Sequence, residues 1–197
     1  MAAKYNRSII VVASFAASLA IGLLLVLGLS GGFRGVTAPA AIGGPFQLTD
    51  NHGKTVTEKD LQGRPSLIFF GFTHCPDVCP TALFEISEVL RAMGPDASRV
   101  NAFFISVDPE RDTVSAMKDY LSSFDPNLRG LTGDSEAIAK VIASYRVYAK
   151  KVPLKDGDYT MDHTALIYLM DRKGNFVRPF DLKRTPEEAA KELRSYL

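Results

Sequence analysis

Two thiols separated by three residues stand in Cys75-Pro76-Asp77-Val78-Cys79-Pro80, and the chain has no other cysteine. The apolar run Ser66-Leu67-Ile68-Phe69-Phe70-Gly71-Phe72 precedes them and reads as a buried strand. Leu83, Ile86, Val89, Leu90 and Met93 then recur at helical spacing, which predicts a helix over 78–93. Cysteines at i and i+4 around the first turn of such a helix share one face. There the unpaired backbone N–H groups and the positive end of the helix dipole favour thiolate over thiol. Pro76 and Pro80 supply no N–H, a small loss in a first turn whose donors are unpaired anyway. Two reactive sulfurs at a strand–helix junction suit redox exchange or a soft metal. A purely structural disulfide is the weaker alternative. So short a loop constrains little chain, and it contributes less than the ~3 kcal/mol of a 15-residue loop.

Three histidines are available to join the sulfurs: His52, His74 and His163. His52 falls in the turn Asp50-Asn51-His52-Gly53, where a solvated side chain is expected. His74 adjoins Cys75, but neighbours at a strand end point to opposite faces, which argues against shared ligation. His163, in Met161-Asp162-His163-Thr164, ends a polar loop over 153–162 and leads into an apolar strand, Ala165-Leu166-Ile167-Tyr168-Leu169-Met170.

The elements that must position these groups are legible from pattern. A hairpin is expected over 46–57, strands over 67–72 and 100–107, and helices over 78–93, 113–124 and 134–145. Asp134 or Ser135 caps the last of these. A strand follows over 147–152, then the strand 165–170 turns at Asp171-Arg172-Lys173-Gly174 into 176–180. A final helix opens at Thr185-Pro186-Glu187-Glu188, with proline at its favoured first position. Crossover helices imply parallel central strands and the late hairpin an antiparallel edge. The expected fold is α/β: thioredoxin-like, with a mixed central sheet flanked by helices. In that fold the loop entering the late antiparallel strand faces the strand–helix junction, which brings His163 toward Cys75 and Cys79.

Ile9–Leu29 carries no charge and, at ~1.5 Å per residue, suffices to cross a ~30 Å hydrocarbon layer. Lys4 and Arg7 precede it, so positive-inside logic puts residues 1–8 in the cytoplasm, a transmembrane helix at 9–30 and the rest outside. A cleaved signal peptide is the alternative, but its apolar core is normally shorter, about 7–15 residues. Residues 31–44, rich in Gly, Ala and Pro, read as a linker, and 45–197 as one domain. Net charge is +1 with no basic run, so nucleic-acid binding has no support.

Three strings together are similar to those of the Sco/SenC family. They are Phe70-Gly71-Phe72-Thr73-His74-Cys75-Pro76-Asp77-Val78-Cys79-Pro80, then Ser106-Val107-Asp108-Pro109-Glu110-Arg111-Asp112, then Asp162-His163-Thr164. The resemblance covers the region from Phe46 to the C-terminus and implies a thioredoxin-like domain that binds copper, Cu(I) or Cu(II), through Cys75, Cys79 and His163. It further implies delivery of copper to the dinuclear centre of cytochrome c oxidase subunit II. The implied setting is the periplasmic side of the inner membrane, alongside a periplasmic copper donor and a thioredoxin-like reductant.

Ligand chemistry agrees, since thiolates select Cu(I) and imidazole accepts either oxidation state. Asp162 is a candidate to orient His163, and Met161 to add a weak soft ligand or simply fill the core. Asp108, Glu110 and Arg111 offer either a docking rim or an ordinary ion-paired turn. The main rival function is enzymatic: thiol–disulfide exchange by Cys75 and Cys79 on the cysteines of the copper acceptor, with Cys75 attacking. Peroxidase chemistry at Cys79-Pro80-Thr81 and a catalytic zinc site rank below it.

Overall fold

The apolar runs flanking the dithiol motif become the two central strands of a sheet whose side chains are buried on both faces, as expected where helices cover a parallel sheet. These are β3 (Ser66–Gly71), buried at every position, and β4 (Asn101–Ser106). They pair in parallel, and β4 pairs in parallel with β5 (Leu128–Thr132). Antiparallel strands complete the sheet: β1 (Gln47–Asp50) and β2 (Thr55–Thr57) at one edge, β8 (Ile167–Met170) and β9 (Phe176–Pro179) at the other. The order is β2-β1-β5-β4-β3-β8-β9. The computed structural model describes residues 7–30, 41–155 and 157–197, and the chain divides into two compact units at Ala40/Ala41.

Helices α2 (Val78–Met93) and α3 (Val114–Leu121) are the crossovers from β3 to β4 and from β4 to β5. Right-handed crossovers between strands that step the same way along the sheet lie on the same face. Gly130 of β5 makes room for α3: a Cβ there would meet Leu121 Cδ1 at 2.7 Å and Met117 Cε at 2.8 Å. The C-terminal helix α5 (Pro186–Arg194) packs on α2 and opens with a Thr185/Glu188 capping box. Alternation along β3 separates the two faces. Phe69 stacks on Phe104, while Phe70 turns to Tyr145, at the end of α4 (Ser135–Ser144). Asp134 caps α4, its side chain accepting from Ala137 N.

Two elements differ from the expected pattern. Strand β5 was hidden by Arg129 and Gly130, whose types read as a turn; burial on both faces decides instead. The polar segment before His163 forms a second, two-stranded sheet of β6 (Ala149–Pro153) and β7 (Tyr159–His163). A tight turn closes it, with Leu154 N donating to Asp158 O at 2.8 Å and Gly157 at φ +87°. His163 therefore ends a strand rather than a loop. Residues 41–44 belong to the second unit, where Gly43 N donates to Ser144 O at 2.9 Å. Residues 31–40 of the expected linker and residues 1–6 lie outside the described residues.

The first unit contains α1 (Arg7–Ser30), whose described side chains, at 10–26, are all exposed. Among the described residues no helix is long and apolar enough to cross a membrane, so the transmembrane helix expected at 9–30 is not matched there.

Helix α4 ends with Arg146 at φ +54°, the one described non-glycine residue with positive φ, and Val147 N returns to Ile142 O at 2.9 Å. That is a Schellman-type stop, usually given to glycine. The left-handed conformation costs a side-chain-bearing residue roughly 1–2 kcal/mol, and glycine's extra chain entropy costs about 0.5–1. Arg146→Gly is therefore expected to stabilise the fold by about 0.5–1 kcal/mol, read as a higher midpoint of urea unfolding; a lower midpoint would contradict this account.

Candidate metal centre

Cys79 is fixed first, by the sheet. It is the second residue of α2, fully buried, with its sulfur against Gly71 at the end of β3. A Cβ on Gly71 would lie 2.7 Å from Cys79 Sγ and 2.7 Å from Phe104 Cε2, so only glycine leaves the sulfur its seat. Cys75 is half-buried and lies before the helix rather than in it, because Asp77 is the N-cap. The two sulfurs are related by a cap-like contact: Cys79 N donates to Cys75 Sγ at 3.4 Å. One orphan donor of the helix N-terminus is thus spent on the more accessible sulfur. Pro80 follows in the first turn, where its missing N–H leaves nothing unpaired. Both cysteines are free thiols.

His163 arrives from β7, whose period of two turns Tyr159, Met161 and His163 to one face and Asp162 to the other. Its Nε2 lies 3.5 Å from Cys79 Sγ, and its Nδ1 lies 3.1 Å from the Thr164 carbonyl. A carbonyl only accepts, so Nδ1 carries the proton and Nε2 presents its lone pair to the sulfur. Phe72 and Phe69 hold the ring edge-on at centroid distances of 5.7 and 6.2 Å. Thr164 is pinned in turn: its N donates to Tyr148 O at 3.0 Å and its Oγ1 accepts from Tyr148 N at 2.9 Å. Asp162, a candidate either to orient His163 or to cap the loop end, is exposed on the opposite face, and a backbone carbonyl orients the ring. Met161 packs against the core. His74 is exposed, its Nδ1 3.0 Å from Thr73 Oγ1, and His52 is exposed in its turn.

Donor atoms of Cys75, Cys79 and His163 all lie within 4.8 Å of one another. Three donors around one ion at about 2.0–2.3 Å lie about 3.5–4.0 Å apart, so closing onto a metal asks the widest pair to approach by about an ångström. The donors fit a soft ion. Burial pushes the Cys79 thiol well above its usual 9.0; a hydrogen bond from the Phe72 backbone pulls the other way, and Cys75 adds to the rise. The proton on Cys79 must therefore leave as a metal enters.

Pattern reasoning missed two groups. Asp112 is fully buried behind the motif, accepting from Thr73 N at 3.2 Å, Thr73 Oγ1 at 2.7 Å and Ser106 Oγ at 2.6 Å, and so pins the turn that carries Cys75. Burial raises its carboxyl above the usual 3.8, against the pull of Ser106 and Thr73. Tyr120 lies near the sulfurs with its hydroxyl buried and unpartnered among the described residues; burial, then the charges of Cys79 and Cys75, raise it. Neither carried a signal in spacing. Asp108, Glu110 and Arg111 do not form a free docking rim: Asp108 is buried, and Arg111 spends its guanidinium inside the molecule.

A thioredoxin-like domain that gathers two free thiols and an oriented imidazole at the end of a central strand defines a class: dithiol proteins able to hold a soft metal or exchange disulfides. The chain belongs to the SCO1/SenC family, whose family model matches residues 34–197. It is 78% identical to Bradyrhizobium japonicum ScoI, solved with copper bound, with TM-score 0.79 over 80% of this chain and 100% of that one. Yeast Sco1 with copper bound is 37% identical with TM-score 0.70, over 80% of this chain and 91% of that one. Among curated relatives, the mitochondrial SCO1 homolog 1 of Arabidopsis thaliana is 44% identical over 162 residues, 80% of this chain and 48% of the relative. The chain thus spans about half the length of that relative.

Two measurements check this geometry. Gly71→Ala is expected to destabilise the fold by about 1–3 kcal/mol through overpacking and to displace Cys79, lowering metal retention. Unchanged stability and metal content would contradict the seat assigned to the sulfur. The second concerns pH. A thiol kept protonated by folding supplies stability below the unfolded value of 9.0 and loses it as pH rises beyond that. Unfolding of the reduced, metal-free protein should then show stability falling above pH 9, with Cys79→Ala flattening the decline between pH 9 and 10.

Proposed function

We propose that this chain is a membrane-anchored copper carrier that holds copper through Cys75, Cys79 and His163 and hands it to the dinuclear copper centre of cytochrome c oxidase subunit II. One observation carries the reading: the bare Nε2 of His163, 3.5 Å from Cys79 Sγ, completes a two-sulfur, one-nitrogen set. The copper-bound relatives support it. Such a set is strong enough for Cu(I) and leaves an open position. Cys75 and His163 are half-buried while Cys79 is buried, so an incoming ligand meets the two outer donors first. Exchange then proceeds one ligand at a time, with Cys79 the last to let go.

Anchoring rests on the charge-free run Ile9–Leu29 and the preceding Lys4 and Arg7, with the domain in the periplasm. The described side chains of α1, at 10–26, are uncharged and exposed, with Ser14 and Ser18 the polar ones among them. An open groove of about 410 Å³ at the N-terminus of α2, lined by Asp77, Val78, Ala82, Leu166, Phe180 and Lys183, offers the acceptor a surface that begins at the N-cap of the helix carrying Cys79.

A second reading has its own support. Cys75 is the more accessible sulfur, so an incoming disulfide meets it first, and its Sγ accepts the Cys79 N–H at 3.4 Å. In that reaction the dithiol becomes a disulfide while an acceptor disulfide takes up the two electrons and two protons. Carrier and reductant roles are separable. Full-length protein loaded with one Cu(I) is mixed under anaerobic conditions with the copper-free, disulfide-free soluble domain of subunit II, the two are separated, and the copper in each is measured. Copper should transfer from the reduced protein. Cys75→Ser and Cys79→Ser should hold at least 100-fold less tightly, and His163→Ala should lose copper yet still reduce the acceptor disulfide. Disulfide reduction without copper transfer by the unaltered protein would overturn the carrier reading.

A further inference from the structure

The geometry points to Arg111 as the residue that positions the imidazole arm of the metal centre, clasping the β6–β7 hairpin to the loop after β4; this rests on the copper-binding reading above. Arg111 lies far from the sulfurs in sequence and is not among the three donors. Its Nε donates to Asp108 Oδ2 at 2.5 Å, and Asp108, 2% exposed, is fixed by Ser106 Oγ accepting from its backbone N at 2.9 Å. From that fixed base the guanidinium reaches into β7. Nη1 donates to the Tyr159 carbonyl at 2.9 Å and meets Asp158 Oδ1 at 3.3 Å, and the guanidinium carbon stands 3.7 Å from the Tyr159 ring centroid. Tyr159 Oη closes the loop by donating to Asp108 Oδ1 at 2.9 Å.

Two routes connect this clasp to His163. Tyr159 and His163 bound the same strand and project to the same face, so holding Tyr159 sets where the imidazole lands. The guanidinium also stands 5.8 Å from the Phe72 centroid, and Phe72 is the ring that His163 meets edge-on at 5.7 Å. Among the described residues the hairpin is otherwise a sheet of its own, paired with no strand of the main sheet. A second bridge, Lys151 Nζ to Glu110 Oε1 at 2.6 Å, is solvent-exposed on both sides, and exposed pairs of that kind hold little. The Arg111–Asp108 pair is 16% and 2% exposed, and a planar fork over an aromatic face is a geometry that lysine cannot copy. Of the polar contacts between the hairpin and the loop after β4, positioning therefore falls to Arg111, beside the packing of Met161 and Ala149 on the core.

The test measures Cu(I) affinity of the full-length reduced protein by competition with a chromophoric chelator, for Arg111→Ala and Arg111→Lys, each alone and with His163→Ala. Groups that orient a metal ligand typically contribute about 10–100-fold in affinity. Arg111→Ala is expected to lose affinity in that range and Arg111→Lys an intermediate amount. The reduction potential of the Cys75/Cys79 pair should stay within the error of the unaltered protein, because the sulfurs keep their seats. With His163→Ala already present, Arg111→Ala should cost nothing more. Should Arg111→Ala fail to fold, Tyr159→Ala, which removes the ring but leaves Asp108 and Arg111 paired, is expected to show the same loss and the same coupling to His163. Affinity unchanged in a folded variant, or an equal loss without His163, overturns the clasp. Absence of copper binding by the unaltered protein overturns the carrier reading instead, which separates the two failures.

Discussion

A hydrogen bond between His163 Nδ1 and the carbonyl of the next residue decides which ring nitrogen faces the sulfurs. Were the ring free to rotate or to change tautomer, its lone pair would be offered to water as often as to Cys79. Thr164 can supply that carbonyl because Tyr148 holds it from both sides, and Tyr148 stands where α4 gives way to β6. The site thus depends on the chain after α4 turning back as a hairpin. Arg146 in the left-handed conformation starts that turn, and Gly157 completes it.

Burial divides the labour between the donors. Cys79 lies where no water reaches it, so its thiol resists ionisation, and only a partner that compensates the charge, such as a cation, makes the thiolate favourable there. Cys75 and His163 sit nearer the surface, so in the proposed carrier role an incoming ligand meets them first. A carrier needs this asymmetry: one deep donor to retain the ion, two outer donors to yield it. The buried Asp112 belongs to the same design, since the turn presenting Cys75 would otherwise have an unpaired Thr73 N–H.

Much of this was legible from residue types. The bounds of α2, the cap of α4 by Asp134 and the Thr185/Glu188 opening of α5 follow from local rules, because the groups that decide them are within four residues of each other. The identities of Cys75, Cys79 and His163 were legible as a set through the three strings and the fold they imply. What escaped was decided by distant partners. Strand β5 carries turn-like residues that burial overrides, and β7 looks like loop because its exposed face is polar. Asp162 was one candidate support for its neighbour His163, yet strand alternation turns it away. Asp108 and Arg111 resembled a surface ion pair, since nothing local reveals that Tyr159 covers them.

Extended X-ray absorption fine structure of the reduced full-length protein, loaded with one Cu(I), tests the convergence of these donors most directly. Two sulfur scatterers and one imidazole nitrogen are expected, with the nitrogen lost in His163→Ala. A spectrum of sulfur alone, unchanged by that substitution, would contradict the account.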